Sequence, residues 1–287
     1  GASSPDPSGM PPFEPMAGIH SSARVVDTSG LVDLNSASLF LLGNLYAPAI
    51  LSVNLPREAS EVEVDSTAGF PDSGELWVEG ERIAYAEKTE TRFLGCRREL
   101  TSTTAEFRDS MLHLQGTPVV PMAAYAIATY PIRDGNRWRP FETVEELRRL
   151  GEDDRLALTA GEYDSLQDSL TVHSAHLDSG TWIPVGPLVG NVSPSGNSAN
   201  ASRLQVDGSG YLSPGSIVRI REGDRVEYAL YAYEQGNAAV LNVQVSGAYT
   251  GRVATVDVLA RHPINLNTAS PLVLFSAFHG IKFDGNV

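Results

Sequence analysis

The chain has 287 residues, a formal net charge of −14 and a hydrophobic content of 42%, enough apolar material for one large domain or two to three small ones. That composition excludes wholesale disorder, and the acidic balance opposes binding to nucleic-acid phosphate or anionic lipid. Cys96 is the only cysteine, which excludes an intrachain disulfide and a zinc site built on thiolates, and no stretch is long and apolar enough to span a bilayer.

Residues 1–18 are rich in Pro, Gly and Ser and read as a flexible lead-in without the apolar core of a signal peptide. The start at Gly1 and the abrupt end at Lys282–Val287 read as trimming, which leaves room for an anchor upstream and for more chain downstream. Ala23–Leu31 reads as a strand ending in a turn at Gly30, and a helix is expected to about Leu45. Residues 49–117 alternate with a period of two around Val62, Val64 and Glu75–Tyr85, which predicts a β module with a hairpin turn at Glu79-Gly80-Glu81. The apolar run 118–131, with Tyr125 and Tyr130, predicts a buried strand.

The period then changes. Phe141–Gly151 predicts a helix with a capping box, in which Thr143 caps, Glu146 reaches back and Gly151 stops the helix. Thr159–Leu170 predicts a second helix with Tyr163 and Leu166 on one face. Residues 181–202 read as a linker, strands resume from Ser202, and Val253–Leu259 is the last of them.

Two internal echoes stand out. Val32-Asp33-Leu34-Asn35-Ser36-Ala37-Ser38 returns as Ile264-Asn265-Leu266-Asn267-Thr268-Ala269-Ser270, each followed by apolar residues. Both read as a strand-to-helix corner in which Asn35 or Asn267 turns back onto backbone amides and Ser36 or Thr268 caps the helix. The second echo aligns Asp65–Val78 with Asp207–Val218, and Gly80–Tyr85 with Gly223–Tyr228, which suggests two β modules of one design.

In order along the chain stand Val26-Asp27-Thr28-Ser29-Gly30-Leu31-Val32-Asp33-Leu34-Asn35, Phe141-Glu142-Thr143-Val144-Glu145-Glu146-Leu147 with Gly151, Leu166-Gln167-Asp168-Ser169-Leu170-Thr171-Val172 and Ile264-Asn265-Leu266-Asn267-Thr268-Ala269, four short pieces that together make up 31 of the 287 residues. This ordered set resembles the K component of bacterial general (type II) secretion, a large minor pseudopilin. The resemblance implies a non-enzymatic tip or initiation subunit of a periplasmic, pilus-like fibre, anchored in the inner membrane before assembly. Its implied partners are other minor pseudopilins or pilins, with the exported substrate or the secretin as further contacts. The two β modules fall outside the family pattern and read as insertions. The first also resembles short β modules of phage and cell-surface proteins.

The expected fold class is therefore α+β, a pilin-like antiparallel sheet with a helical insertion and two small β modules. The core is expected from residues 19–48, 118–134 and 250–287, with one β module at 49–117, the helical insert at 135–180, and a linker plus the second module at 181–249. Asn35, Ser36, Asn265, Asn267, Thr268, Glu146, Gly30 and Gly151 are expected to be architectural. The alternative reading is a surface adhesin or carbohydrate-binding module presenting Trp77, Trp182, Tyr231 and Tyr233.

No catalytic set and no cofactor is expected. His173 and His176 have metal-compatible spacing without supporting acids, and Asp27, Asp33 and Asp207-Gly208-Ser209 put calcium-type oxygens near turns but match no EF-hand loop, so these Asp read as turn-stabilising. Asn-Leu-Asn-Thr-Ala-Ser also resembles the opening of helix-hairpin-helix DNA-uptake proteins. The continuation Ala277-Phe278-His279-Gly280-Ile281-Lys282 lacks the Gly-x-Gly hairpin that would hold phosphate, so no nucleic-acid partner is expected.

Overall fold

The computed structural model describes residues 27–99, 112–152, 160–172, 182–194, 203–208, 212–261 and 263–280. The lead-in, the His173/His176 pair and Ser209 lie outside the described residues. The fold is α+β, with antiparallel sheets and short helices.

The first module contains β2 (Glu61–Glu63), β3 (Gly74–Val78), β4 (Glu81–Tyr85), β5 (Glu87–Lys88), β6 (Arg92–Leu94) and β7 (Arg97–Glu99). They form a three-stranded sheet of order β2-β6-β5 and a four-stranded sheet of order β7-β4-β3-β8, where β8 is Val120–Pro121. The β3–β4 turn is the expected one: Glu79 and Gly80 both have positive φ, +45° and +90°, as a type I′ hairpin requires. Between the sheets lies a core of Leu51, Val62, Leu76, Ile83, Tyr85 and Phe93.

The second module is larger than expected. A six-stranded antiparallel sheet runs in the order β10-β15-β12-β13-β14-β11. Its strands are β10 (Trp182–Pro187), β11 (Arg203–Leu204), β12 (Ile217–Glu222), β13 (Arg225–Gln235), β14 (Ala238–Leu241) and β15 (Thr255–Leu259). Two expectations change here. β10 is an edge strand and not linker: Pro184 and Pro187 disguised it, and an edge tolerates prolines that a central strand does not. β15 pairs with β10 and β12, so the expected boundary at 249/250 is crossed by the six-stranded sheet.

The echo between the modules is a likeness of hairpins. The second turn is Gly223-Asp224, with only Gly223 left-handed, whereas the first is Glu79-Gly80. The glycine sits one position earlier, and the two sheets have different strand orders.

The segment 118–131 is not a strand beyond β8. It forms helix α2 (Met122–Thr129), whose Met-Ala-Ala-Tyr-Ala-Ile-Ala-Thr sequence carries four alanines, the residue that loses least on entering a helix. α2 packs on α1 (Leu39–Tyr46), and α1 packs on α4 (Pro271–Phe278). The three parts expected to build a common sheet therefore meet mainly through helices. The helical insert supplies a 3₁₀ segment at Val144–Glu152 instead of the expected α-helix, then α3 (Ala160–Leu166) and β9 (Leu170–Thr171). β9 pairs in parallel with β1 (Val32–Asp33). The helices share a core of Leu34, Leu39, Leu42, Ile127, Leu147 and Tyr163, closed by Ile217, Leu230 and Leu259 from one face of the six-stranded sheet. The other face packs Val218, Ile220, Tyr231 and Val256 under its loops.

Candidate protein-docking face

The duplicated corner folds the same way twice. Asp33 Oδ1 accepts from Asn35 N–H at 3.1 Å, and Asn265 Oδ1 accepts from Asn267 N–H at 3.1 Å. In each copy the backbone closes a turn, from Ala37 N–H to Asp33 O and from Ala269 N–H to Asn265 O. Helix capping then falls two residues later than expected: Ser38 Oγ accepts from Leu41 N–H at 3.2 Å, and Ser270 Oγ from Val273 N–H at 3.3 Å. The turn occupies the positions where the sequence placed the cap, so Ser36 and Thr268 serve the turn: Ser36 Oγ donates to Asp33 Oδ2 at 2.8 Å, and Thr268 Oγ1 lies 3.5 Å from Asn265 O.

The central asparagines differ. Asn35 Nδ2 donates to Phe141 O at 3.0 Å, and its Oδ1 accepts from Phe141 N–H at 2.7 Å, which fastens the corner to the start of the 3₁₀ segment. Asn267 is exposed, and its side chain makes no hydrogen bond among the described residues. The locking role in the second copy belongs to Asn265, whose Nδ2 donates to Ser29 Oγ at 3.2 Å while its N–H bonds Ser29 O at 2.7 Å. Gly30 is needed for proximity: a Cβ there would lie 2.6 Å from Thr268 C and 2.7 Å from Ala269 N. Glu146 reaches back as expected but accepts from Glu142 N–H, at 3.3 Å. Gly151 falls inside the 3₁₀ segment.

The two copies bring α1 and α4 side by side. Val273 and Ser276 of α4 face inward and are buried. Asn44 on α1 donates to the carbonyls of Ser276, at 3.0 Å, and His279, at 3.2 Å, so a side chain from one copy satisfies the helix end of the other. The opposite side of α4 is open. Leu272, Phe275 and Phe278 recur at helical spacing and are 41%, 53% and 50% exposed, and Leu266 on the preceding turn is 57% exposed. Four large apolar side chains on one helix and its lead-in form a patch of the kind that marks a protein contact. Beside it a groove of about 650 Å³ runs between α1 and the end of α4, lined by Val32, Phe40, Leu41, Ile264, Leu266 and Phe278, with Arg261 at its edge.

The proposed aromatic platform does not assemble. Trp77 and Tyr231 are each 3% exposed, in cores, and Tyr233 packs its ring against Gly80 at the first hairpin. Their alternation placed them on strands without indicating which face was covered. Trp182 instead meets Trp138 and Tyr228, ring centres 5.6 and 5.5 Å away, with the Arg219 guanidinium 4.5 Å over its ring.

Several charged residues have close partners. Arg98 Nε donates to Glu81 Oε1 at 2.7 Å, and His113 sits between Glu79 and Glu81, each ring nitrogen 2.8 Å from a carboxylate oxygen. Burial alone would lower the His113 pKa, but the hydrogen bonds and charges of Glu79 and Glu81 raise it above its ordinary value. Burial likewise opposes the charge on Glu81, yet His113 and Arg98 hold its carboxyl below the ordinary range. In the second module Asp257, almost fully buried, accepts from Arg219 Nε at 2.9 Å and Arg221 Nε at 2.7 Å. The buried Cys96 thiol is pushed up to about 11 by desolvation, which leaves it unreactive.

The aspartates suggested for calcium each have a local partner. Asp27 caps the Thr28–Gly30 turn through Ser29, at 2.9 and 2.6 Å; Asp33 holds its own corner; Asp207 pairs with Arg252 at 3.3 Å. Among the described residues no group of three or more His, Cys, Asp or Glu is arranged to hold a metal, and no helix is long and apolar enough to cross a membrane. Comparison with family models, curated proteins and solved structures gives no match to this chain.

Proposed function

We propose that this protein is a non-enzymatic assembly subunit of a pilus-like secretion fibre, of the minor pseudopilin type, working by protein–protein contact in the cell envelope. The observation that carries the reading is the open face of α4. Leu272, Phe275 and Phe278 leave water only if another surface covers them, and burying the half of each that is still exposed is worth roughly 1 kcal/mol. The four ordered motifs supply the family direction. In this reading α4, in the helical layer that lies on one face of the six-stranded sheet, presents the contact to neighbouring minor pseudopilins or pilins.

The test is reconstitution. The purified chain, mixed with the other minor pilin-like subunits of the same organism, is expected to elute as a stable complex on size exclusion, and Phe275→Glu is expected to abolish it while the variant stays folded. Absence of a complex with every such subunit would overturn the reading.

One observation favours a second reading, a carbohydrate-binding surface. Trp138 and Tyr228 flank a cleft of about 780 Å³, with Asn136, Arg137, Asp224 and Arg225 around it. Aromatic faces beside polar side chains suit a sugar ring. Quenching of tryptophan fluorescence by neutral oligosaccharides, lost in Tyr228→Ala, would favour this reading over the first.

A further inference from the structure

We infer that the groove between α1 and α4 receives an apolar segment of a partner subunit that carries a carboxylate, and that Arg261 is the residue that pairs with it. The inference rests on the assembly reading above and names the chemistry of the partner at that face.

The charge pattern argues for it. In a chain with net charge −14, arginines are expected to find acidic neighbours readily, and Arg82, Arg92, Arg98, Arg219 and Arg221 do so. Arg261 does not. Its Nη2 donates to Ser213 Oγ at 2.8 Å and Ser216 Oγ at 2.9 Å, and it has no carboxylate partner among the described residues. Two hydroxyls orient the guanidinium without neutralising it.

Among the described residues the one acidic side chain lining the groove is Asp33, and it is committed elsewhere. Its two carboxylate oxygens accept from Asn35 N–H and Ser36 Oγ–H, and the residue is buried. The positive charge at the groove edge is therefore left over by the fold. An arginine fork pairs best with a carboxylate, in two parallel hydrogen bonds, and gains strength where apolar neighbours exclude water. Phe40, Leu41, Ile264, Leu266 and Phe278 supply those neighbours. A complementary segment needs apolar side chains for the groove and one acidic group to meet Arg261.

The experiment is calorimetric titration of the full chain with each minor pilin-like subunit, at about 50 and about 300 mM salt. Wild type is expected to bind more weakly at the higher salt. Arg261→Glu is expected to lose about tenfold or more in affinity at the lower salt and to regain part of it at the higher, because salt screens the new repulsion, and Arg261→Lys to lose less, because it keeps the charge without the fork. Thermal melts of both variants control for folding. If the complex forms and Arg261→Glu binds as tightly as wild type, this inference fails while the assembly reading stands. If no subunit binds, both fail. A dimer of the chain alone that Arg261→Glu dissociates would make a second copy the occupant. A melting temperature lowered equally by Arg261→Glu and by deletion of residues 281–287, with no added effect in the combined variant, would assign the groove to the chain's own tail. Either of these two results would overturn the inference.

Discussion

Asn35 and Phe141 hold each other through a matched pair of hydrogen bonds across 106 residues of chain, the side-chain amide of one reading the backbone N–H and C=O of the other. An amide is the one side-chain group of this size with a donor and an acceptor in that geometry. Asn35→Asp keeps the shape, removes the donor and sets a carboxylate against the Phe141 carbonyl. It is expected to cost about 1–3 kcal/mol in urea unfolding. Asn267→Asp, at the equivalent position of the second copy, is expected to change stability by no more than about 0.5 kcal/mol, because Asn267 is exposed and its side chain holds nothing.

Gly30→Ala is a test of proximity. The added methyl would meet the Thr268 carbonyl carbon at 2.6 Å, and backbone on both sides has to move. A loss of about 1–3 kcal/mol is expected in the same assay. Gly223→Ala isolates conformation from crowding: Gly223 has nothing within 4 Å of its would-be Cβ, and its φ of +58° alone resists the change. About 1 kcal/mol is expected there.

The pair of residues around Glu81 gives opposite pH limbs. His113 has a raised folded-state pKa, so its contribution is fully present below the ordinary histidine value near 6.5 and is lost as pH rises through the raised value. Glu81 has a lowered one, so its contribution is present above about 4.5 and is lost as pH falls through the depressed value. Stability is expected to decline on both sides, with a slope of at most about 1.4 kcal/mol per pH unit for each proton. In chemical denaturation across pH, His113→Gln is expected to remove the upper limb and to shrink the lower one, because His113 also helps to hold the Glu81 carboxyl down.

On α4, neighbouring positions separate folding from binding. Val273 is fully buried and Phe275 is half exposed on the opposite side. Val273→Ala is expected to cost about 1–2 kcal/mol of stability and leave subunit affinity near wild type. Phe275→Ala is expected to leave the melting temperature nearly unchanged and weaken the complex. Measuring melts and affinities for both variants checks the division.

What the sequence made legible was local. The corners at Asp33–Ser38 and Asn265–Ser270, the Glu79-Gly80 turn and the strands around Trp77 all follow from short-range chemistry. α2 was not legible as a helix because an eight-residue apolar run fits either period, and the alanines that decide it carry little hydrophobic pattern. β10 was hidden by its prolines, acceptable only because it lies at a sheet edge, a property of assembly and not of sequence. The same limit hid the candidate site. The apolar run after each corner looks alike in sequence, with nothing to say that Phe275 is left uncovered, and Arg261 becomes conspicuous only once the acids that might have paired with it are placed.

The clasp between the two corners also decides how the molecule bears load. Ser29 is tied to Asn265, Gly30 lies against Thr268, and Asn44 grips the far end of α4, so residues near both ends of the described chain are sewn to one another directly. Tension applied between Asp27 and Gly280 enters this seam first and has to shear several hydrogen bonds at once. The strand-to-strand hydrogen bonds of the six-stranded sheet carry that load only after the seam has opened.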